Sequence, residues 1–186
     1  MEHSMTSNLI KSLFFIHIFS LFMSQAFATS WPVPTAPQVS AKGFLIQDFH
    51  SGMTLAESNA DQRMEPASIT KLMTTYIIVN ELREGRLKLD EMVRISKKAW
   101  RMEGSRTFVE VNSTVPVKTL LKGIIVQSGN DATVALAEHI SGREETFASL
   151  MNQTAKKIGM KFTNYVNSTG WHHPEHYTTA HDTDLH

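Results

Sequence analysis

The chain has 186 residues, 41% of them hydrophobic, enough for one ordinary domain with a buried core. Its 18 Lys and Arg balance 18 Asp and Glu, so no net field draws it toward nucleic acid or an anionic surface, and a nucleic-acid partner is not expected. Cysteine is absent, which excludes disulfides, a thiol nucleophile and thiolate-ligated zinc.

Ser12 to Met23 reads SLFFIHIFSLFM, preceded by Lys11 and followed by Ala26-Phe27-Ala28, a small-x-small cleavage pattern. The apolar run is shorter than the ~20 residues that span a bilayer. Residues 1–28 are therefore expected to be a secretory signal peptide, and the mature chain to be periplasmic. Trp31 to Gln38 holds three prolines and suits an extended lead-in over residues 29–40, so the domain proper is expected over 41–186. Phe44 to Phe49 and Thr54 to Glu57 flank His50-Ser51-Gly52-Met53, a hairpin signal for two antiparallel strands.

Pro66 suits a first helical turn, and Leu72, Tyr76, Val79 and Leu82 continue at helical spacing to Gly85, a C-terminal stop. Leu87 to Val111 is mixed, with short extended pieces at Val93-Arg94-Ile95 and Phe108 to Val111. Pro116 opens a second helical run through Leu120, Leu121, Ile124 and Ile125, ending before Ser128-Gly129-Asn130. Asp131 starts a third run through Val134, Leu136, Ala137 and Ile140 to Gly142. A fourth runs from Glu144 through Phe147, Leu150, Met151 and Ile158 to Gly159. The predicted order is helix, loop, helix, helix, with the loop held between packed elements.

Two short motifs carry chemistry. Ser68-Ile69-Thr70-Lys71 places a hydroxyl and an amine three residues apart, which on a helix is one face and roughly 5–6 Å between Cβ atoms. A serine hydroxyl is a weak nucleophile near neutral pH and needs a base; a lysine serves only if burial or a neighbouring cation lowers its pKa. A helix N-terminus at Ser68 would also favour developing negative charge. In Ser128-Gly129-Asn130, Ser128 can relay a proton to a leaving group, the Asn130 amide can both donate to and accept from a peptide, and Gly129 lets the backbone turn sharply. Taken singly, the motifs read as an N-cap, a solvated lysine and a turn tripeptide; their joint occurrence in this order lifts them above that.

These motifs, with Asn59-Ala60-Asp61, Pro66 to Thr74, Val115-Pro116-Val117, Gln127 to Ala132 and His176 to Ala180, resemble the D-alanyl-D-alanine carboxypeptidases, the low-molecular-weight penicillin-binding proteins, over residues 41 to 181. The resemblance implies the mixed α/β (α+β) transpeptidase fold shared with β-lactamases, and Ser68 as acyl-enzyme nucleophile, Lys71 as base, Ser128 as relay and Asn130 as substrate contact. It implies a peptidoglycan stem peptide ending in D-Ala-D-Ala as partner, β-lactams as covalent inhibitors, and no cofactor.

The family's third motif, Lys-Thr-Gly, does not follow Asn130; Lys157-Ile158-Gly159 ends a helical run and lacks the hydroxyl. The sheet strands that carry it are expected to be missing, leaving a hairpin with few neighbours, helices with an uncovered apolar face, and a truncated product of low stability. Membrane attachment is not inferred from this chain. The alternatives are a non-catalytic peptidoglycan- or partner-binding remnant, with Trp31, Trp100 and Trp171 as contacts, and a class A β-lactamase-like hydrolase, against which Gly129 stands where that motif has aspartate. His172, His173, His176, His181 and His186 invite a metal reading, but Pro174 interrupts any helix that would align them, so the tail is expected to be solvated loop and no metal is assigned.

Overall fold

The computed structural model describes residues 39–184; the signal-peptide assignment and nearly all of the lead-in lie outside them. Phe44–Gln47 (β1) and Thr54–Ser58 (β2) pair antiparallel as the sequence predicts, with a register irregularity at Ile46/Gln47. The turn closes through Gly52, at φ 67°, and through the Asp48 carboxylate, which accepts from the Ser51 N–H and hydroxyl. Among the described residues this sheet has two strands.

A 3-10 turn, Ala67–Ile69, leads into helix α1, Thr70–Arg83. Met92–Arg94 (β3) pairs with Thr114–Pro116 (β4), and a short helix, Lys97–Trp100 (α2), lies between them. Neither β4 nor α2 is legible in the sequence. Phe108 to Val111 is irregular, not extended in a sheet, and Pro116 ends a strand where the sequence suggested a first helical turn. Then come α3, Val117–Gln127; α4, Asn130–Ser141; α5, Glu144–Lys157; and a one-turn helix α6, Ala180–Thr183.

Helix α4 is the axis of the fold: Asn130 through Ala137 are all buried, the pattern of a helix surrounded on every side. On one side it packs in a core with Ile78, Leu87, Val93, Ile95, Val117, Leu120 and Ile124. On the other, Ala137 joins Met73, Ile77, Phe147, Met151 and Tyr165. Helix α1 serves both cores. Its buried face is Thr70, Lys71, Met73, Thr74, Ile77 and Ile78, whereas the apolar stripe read from the sequence, Leu72, Tyr76 and Val79, is exposed. Packing onto α4 and α5 selects the face carrying the motif lysine; the uncovered apolar face that the sequence anticipates is this stripe.

The histidine-rich tail is a solvated loop only over Trp171 to Glu175, which is exposed; from His176 on it packs into the domain. Met64 and Thr178 pair backbone to backbone, as do Asn164 and Tyr177, and His176, Thr178, Thr179 and Asp182 are buried. The Asp182 carboxylate accepts from the N–H groups of Lys161 and Phe162 and from the Thr163 hydroxyl, tying α6 to the segment after α5.

Candidate active site

Pro66 and Ala67 set the first motif. Ala67 lies at φ 46°, a conformation that costs on the order of 1–2 kcal/mol for a non-glycine residue. The tight bend that follows has the N–H of Ile69 donating to Pro66 and that of Thr70 to Ala67 and Ser68. Ser68 therefore stands on a 3-10 turn before the α-helix, exposed to solvent, while Lys71 sits in the first turn of α1 at 5% exposure. The Lys71 Nζ donates to Ser68 Oγ at 3.1 Å and to the Thr169 carbonyl at 2.9 Å. Among the described residues no carboxylate is a hydrogen-bond partner of this amine, and burial pulls its pKa down from 10.5 to about 8. That is the condition the sequence could state but not test: an amine neutral for part of the time, in reach of a hydroxyl.

The wall behind Lys71 is the segment Asn167 to Trp171. The Asn167 side-chain oxygen accepts from the N–H groups of Thr169, Gly170 and Trp171 and from the Thr169 hydroxyl, which folds the loop on itself. Gly170, at φ 83°, lies so close to the Ala67 carbonyl that any Cβ there would overlap it. The Thr74 hydroxyl, one turn beyond Lys71, donates to the Ser168 carbonyl at 2.7 Å. His176 completes the wall: its Nδ1 accepts from the Val166 N–H, so Nε2 carries the hydrogen and donates to the Thr70 hydroxyl at 2.8 Å. Burial, aided by His173 and opposed by Glu65, pushes the His176 pKa down to about 4, so the ring is neutral at ordinary pH.

Ser128 closes α3 and does not open α4: it takes the left-handed conformation, φ 54°, while Gly129 is extended at φ −64°. The sharp turn assigned to Gly129 is thus made by Ser128. Gly129 is needed for space, because a Cβ there would overlap the Thr107 hydroxyl and lie 3.1 Å from an Asp131 oxygen. Asp131, read from the sequence only as a helix start, is fully buried; its carboxylate accepts from the N–H groups of Thr107 at 2.8 Å, Val109 at 3.3 Å and Ala132 at 2.8 Å. A buried carboxylate holding three donors pins the irregular segment Thr107 to Val109 against the Ser128 turn.

The Asn130 amide donates to the Glu103 carbonyl at 2.7 Å, and its N–H donates to Ser105. Gly104 separates that amide from the Trp171 ring: a Cβ on it would stand 3.0 Å from the Asn130 nitrogen and 3.2 Å from the ring. The two motifs are thus linked through contacts of Gly170 with Ala67 on one side and of Gly104 with Asn130 and Trp171 on the other. No hydrogen bond links Ser128 to Ser68 or Lys71; the Ser128 Oγ is buried without a partner among the described residues.

The tail histidines go to separate partners: His172 to Glu65 at 2.9 Å, His176 to Thr70, and His181 to Asp61 at 2.8 Å. His186 lies outside the described residues, among which no three His, Asp or Glu side chains gather as ligands.

The chain matches the family model for D-alanyl-D-alanine carboxypeptidase over residues 31–185. It is 41% identical over 171 residues to the D-alanyl-D-alanine carboxypeptidase DacC of Escherichia coli strain K12, covering 89% of this chain and 42% of that protein. It is 43% identical over 142 residues to DacF of Bacillus subtilis strain 168, covering 76% and 36%. Among solved structures it is similar to the D-alanyl-D-alanine carboxypeptidase DacD from Francisella tularensis, with TM-score 0.78, 44% identity, and 81% and 36% of the two chains covered. Penicillin binding protein 5 from Haemophilus influenzae gives TM-score 0.78, 41% identity, and 81% and 44% coverage. The described residues carry the fold of these proteins, and the chain spans 36–42% of the length of the two curated relatives.

Proposed function

Because the chain belongs to the D-alanyl-D-alanine carboxypeptidase family, we propose that it acts as a serine-type carboxypeptidase on peptidoglycan stem peptides ending in D-Ala-D-Ala. Ser68 Oγ attacks the carbonyl carbon of the penultimate D-alanine and passes its proton to neutral Lys71. The C–N bond to the terminal D-alanine breaks, the leaving nitrogen takes a proton through the Ser128 hydroxyl, and water hydrolyses the ester on Ser68. Asn130 holds the peptide alongside. β-Lactams, whose ring opening leaves the same ester, would acylate the same oxygen.

The observation that carries this reading is the buried Lys71 amine 3.1 Å from an exposed Ser68 hydroxyl. A carbonyl can only accept, so Thr169 fixes one N–H of Lys71 and, in the neutral amine, helps turn the lone pair toward Ser68. The Ser128 Oγ, buried without a hydrogen-bond partner among the described residues, holds no bond that a relay role would have to break. A fluorescent penicillin tests the proposal: a covalent label on the Ser68 peptide, lost in Ser68→Ala, is expected. A folded wild-type chain that takes no label would overturn it.

We also read residues 1–28 as an export signal that delivers residues 41–186, the N-terminal portion of a carboxypeptidase catalytic domain, to the periplasm. An exported chain beginning at Thr29 supports this; one that retains Met1 refutes it.

A further inference from the structure

Behind the loop that holds Lys71 lies a buried carboxylate that the reaction does not use. Glu144 opens α5 with its side chain 7% exposed. One oxygen accepts from the Ser168 N–H at 3.0 Å and from the Ser168 hydroxyl at 2.7 Å, and the other pairs with the Lys98 ammonium at 2.9 Å. Ser168 is fully buried, and Thr169, the next residue, presents its carbonyl to Lys71.

Burying a carboxylate is unfavourable unless its oxygens are filled by donors, and here all three donors hold it in place. Two of them come from a single residue of the Lys71 wall. The Ser168 carbonyl is in turn fixed by Thr74 on the same helix as Lys71, so the residue is clamped from both ends of its peptide. Releasing the Glu144 end leaves the Ser168 N–H and hydroxyl without partners in a buried site and lets the Thr169 carbonyl move relative to the amine.

We propose that Glu144 is a positioning residue, which through Ser168 sets the Thr169 carbonyl against Lys71 and so aims the amine at Ser68. The inference rests on the catalytic reading above for its consequence, though not for its geometry. The pair with Lys98 orients the second carboxylate oxygen; Lys98 is also shared with Glu145 at 2.8 Å on the surface. Other titratable groups on the elements packed near Lys71 are His176, hydrogen-bonded to Thr70, and the Glu65–His172 pair ahead of the turn.

The test follows the Lys71 side chain directly, by NMR titration of lysine labelled at Cε, with the resonance assigned through Lys71→Arg. In the wild type it should titrate near 8. In Glu144→Ala, water reaching the loosened pocket should move the titration at least one pH unit toward the ordinary lysine value. Glu144→Gln, which keeps an oxygen for Ser168, should restore most of the shift. Ser168→Ala, which deletes only the hydroxyl donor, should move it in the same direction by less, and stands in where Glu144→Ala does not fold. A Lys71 titration unchanged in folded Glu144→Ala or Ser168→Ala overturns the inference. Penicillin labelling run in parallel separates the two claims: if the titration moves while even the wild type takes no label, the catalytic reading fails and the positioning role stands.

Discussion

Replacing Lys71 by methionine should make the protein more stable at neutral pH while abolishing its labelling by penicillin. The side chain titrates near 8 in the folded state against 10.5 ordinarily, and burial is the cause. Its folded pKa is depressed, so its contribution is fully present above the unfolded value and is lost as pH falls through the folded one. A difference of this size makes the charged lysine cost roughly 3 kcal/mol at pH 7, falling to roughly 2 kcal/mol at pH 9 where the folded amine is mostly neutral. Lys71→Met removes that cost and keeps the aliphatic stem in the same volume. It leaves the Thr169 carbonyl without its donor, a pH-independent loss of about 1–2 kcal/mol. The variant should therefore gain about 1–2 kcal/mol in urea unfolding at pH 7, and the advantage should shrink by about 1 kcal/mol at pH 9. Measuring the gap between the two proteins at both pH values cancels every other titrating group. A gap that does not change with pH would refute the claim that Lys71 is buried against its charge.

Acylation by penicillin should climb about tenfold per pH unit below 8 and level off above it, because the rate follows the neutral fraction of Lys71; a rate flat from pH 6 to 9 contradicts this. His176, held near 4 chiefly by burial against an ordinary 6.5, contributes stability that is present above 6.5 and is lost as pH falls toward 4. Urea unfolding at pH 4 and pH 7 should show a drop of about 3 kcal/mol from this group that His176→Phe lacks. Gly129→Ala should destabilise by about 1–3 kcal/mol through overlap with Thr107, and slow acylation by displacing the Ser128 turn. Asp131→Asn places an NH2 among three N–H donors and should cost about 1–3 kcal/mol in the same unfolding assay.

What the sequence disclosed and what it hid divide along the range of the interaction. The hairpin and helices α1, α3, α4 and α5 are written in periodicity and punctuation, and the Ser68 to Lys71 pairing is a relation three residues long that any helical turn satisfies. Which face of α1 turns inward is another matter. Both Leu72-Tyr76-Val79 and Thr70-Lys71-Thr74 with Ile77 lie at helical spacing, and hydrophobicity favours the first. The structure buries the second because each polar group on it has a waiting partner: Thr70 has His176, Thr74 has the Ser168 carbonyl, Lys71 has the Thr169 carbonyl. Those partners lie about a hundred residues away along the chain, and none forms a motif with its own spacing. Local pattern therefore ranks a threonine-lysine stripe as solvated, while long-range hydrogen bonding makes it the interior of a site. The same reasoning explains Asp131, visible only as the first residue of a helical run until three backbone N–H groups from two segments converge on it. A buried lysine is tolerated where the carbonyl that receives its N–H is itself held in place, and the residues that hold the Thr169 loop, Asn167, Ser168 and Glu144, are as much a part of the chemistry's geometry as the serine that the sequence announces.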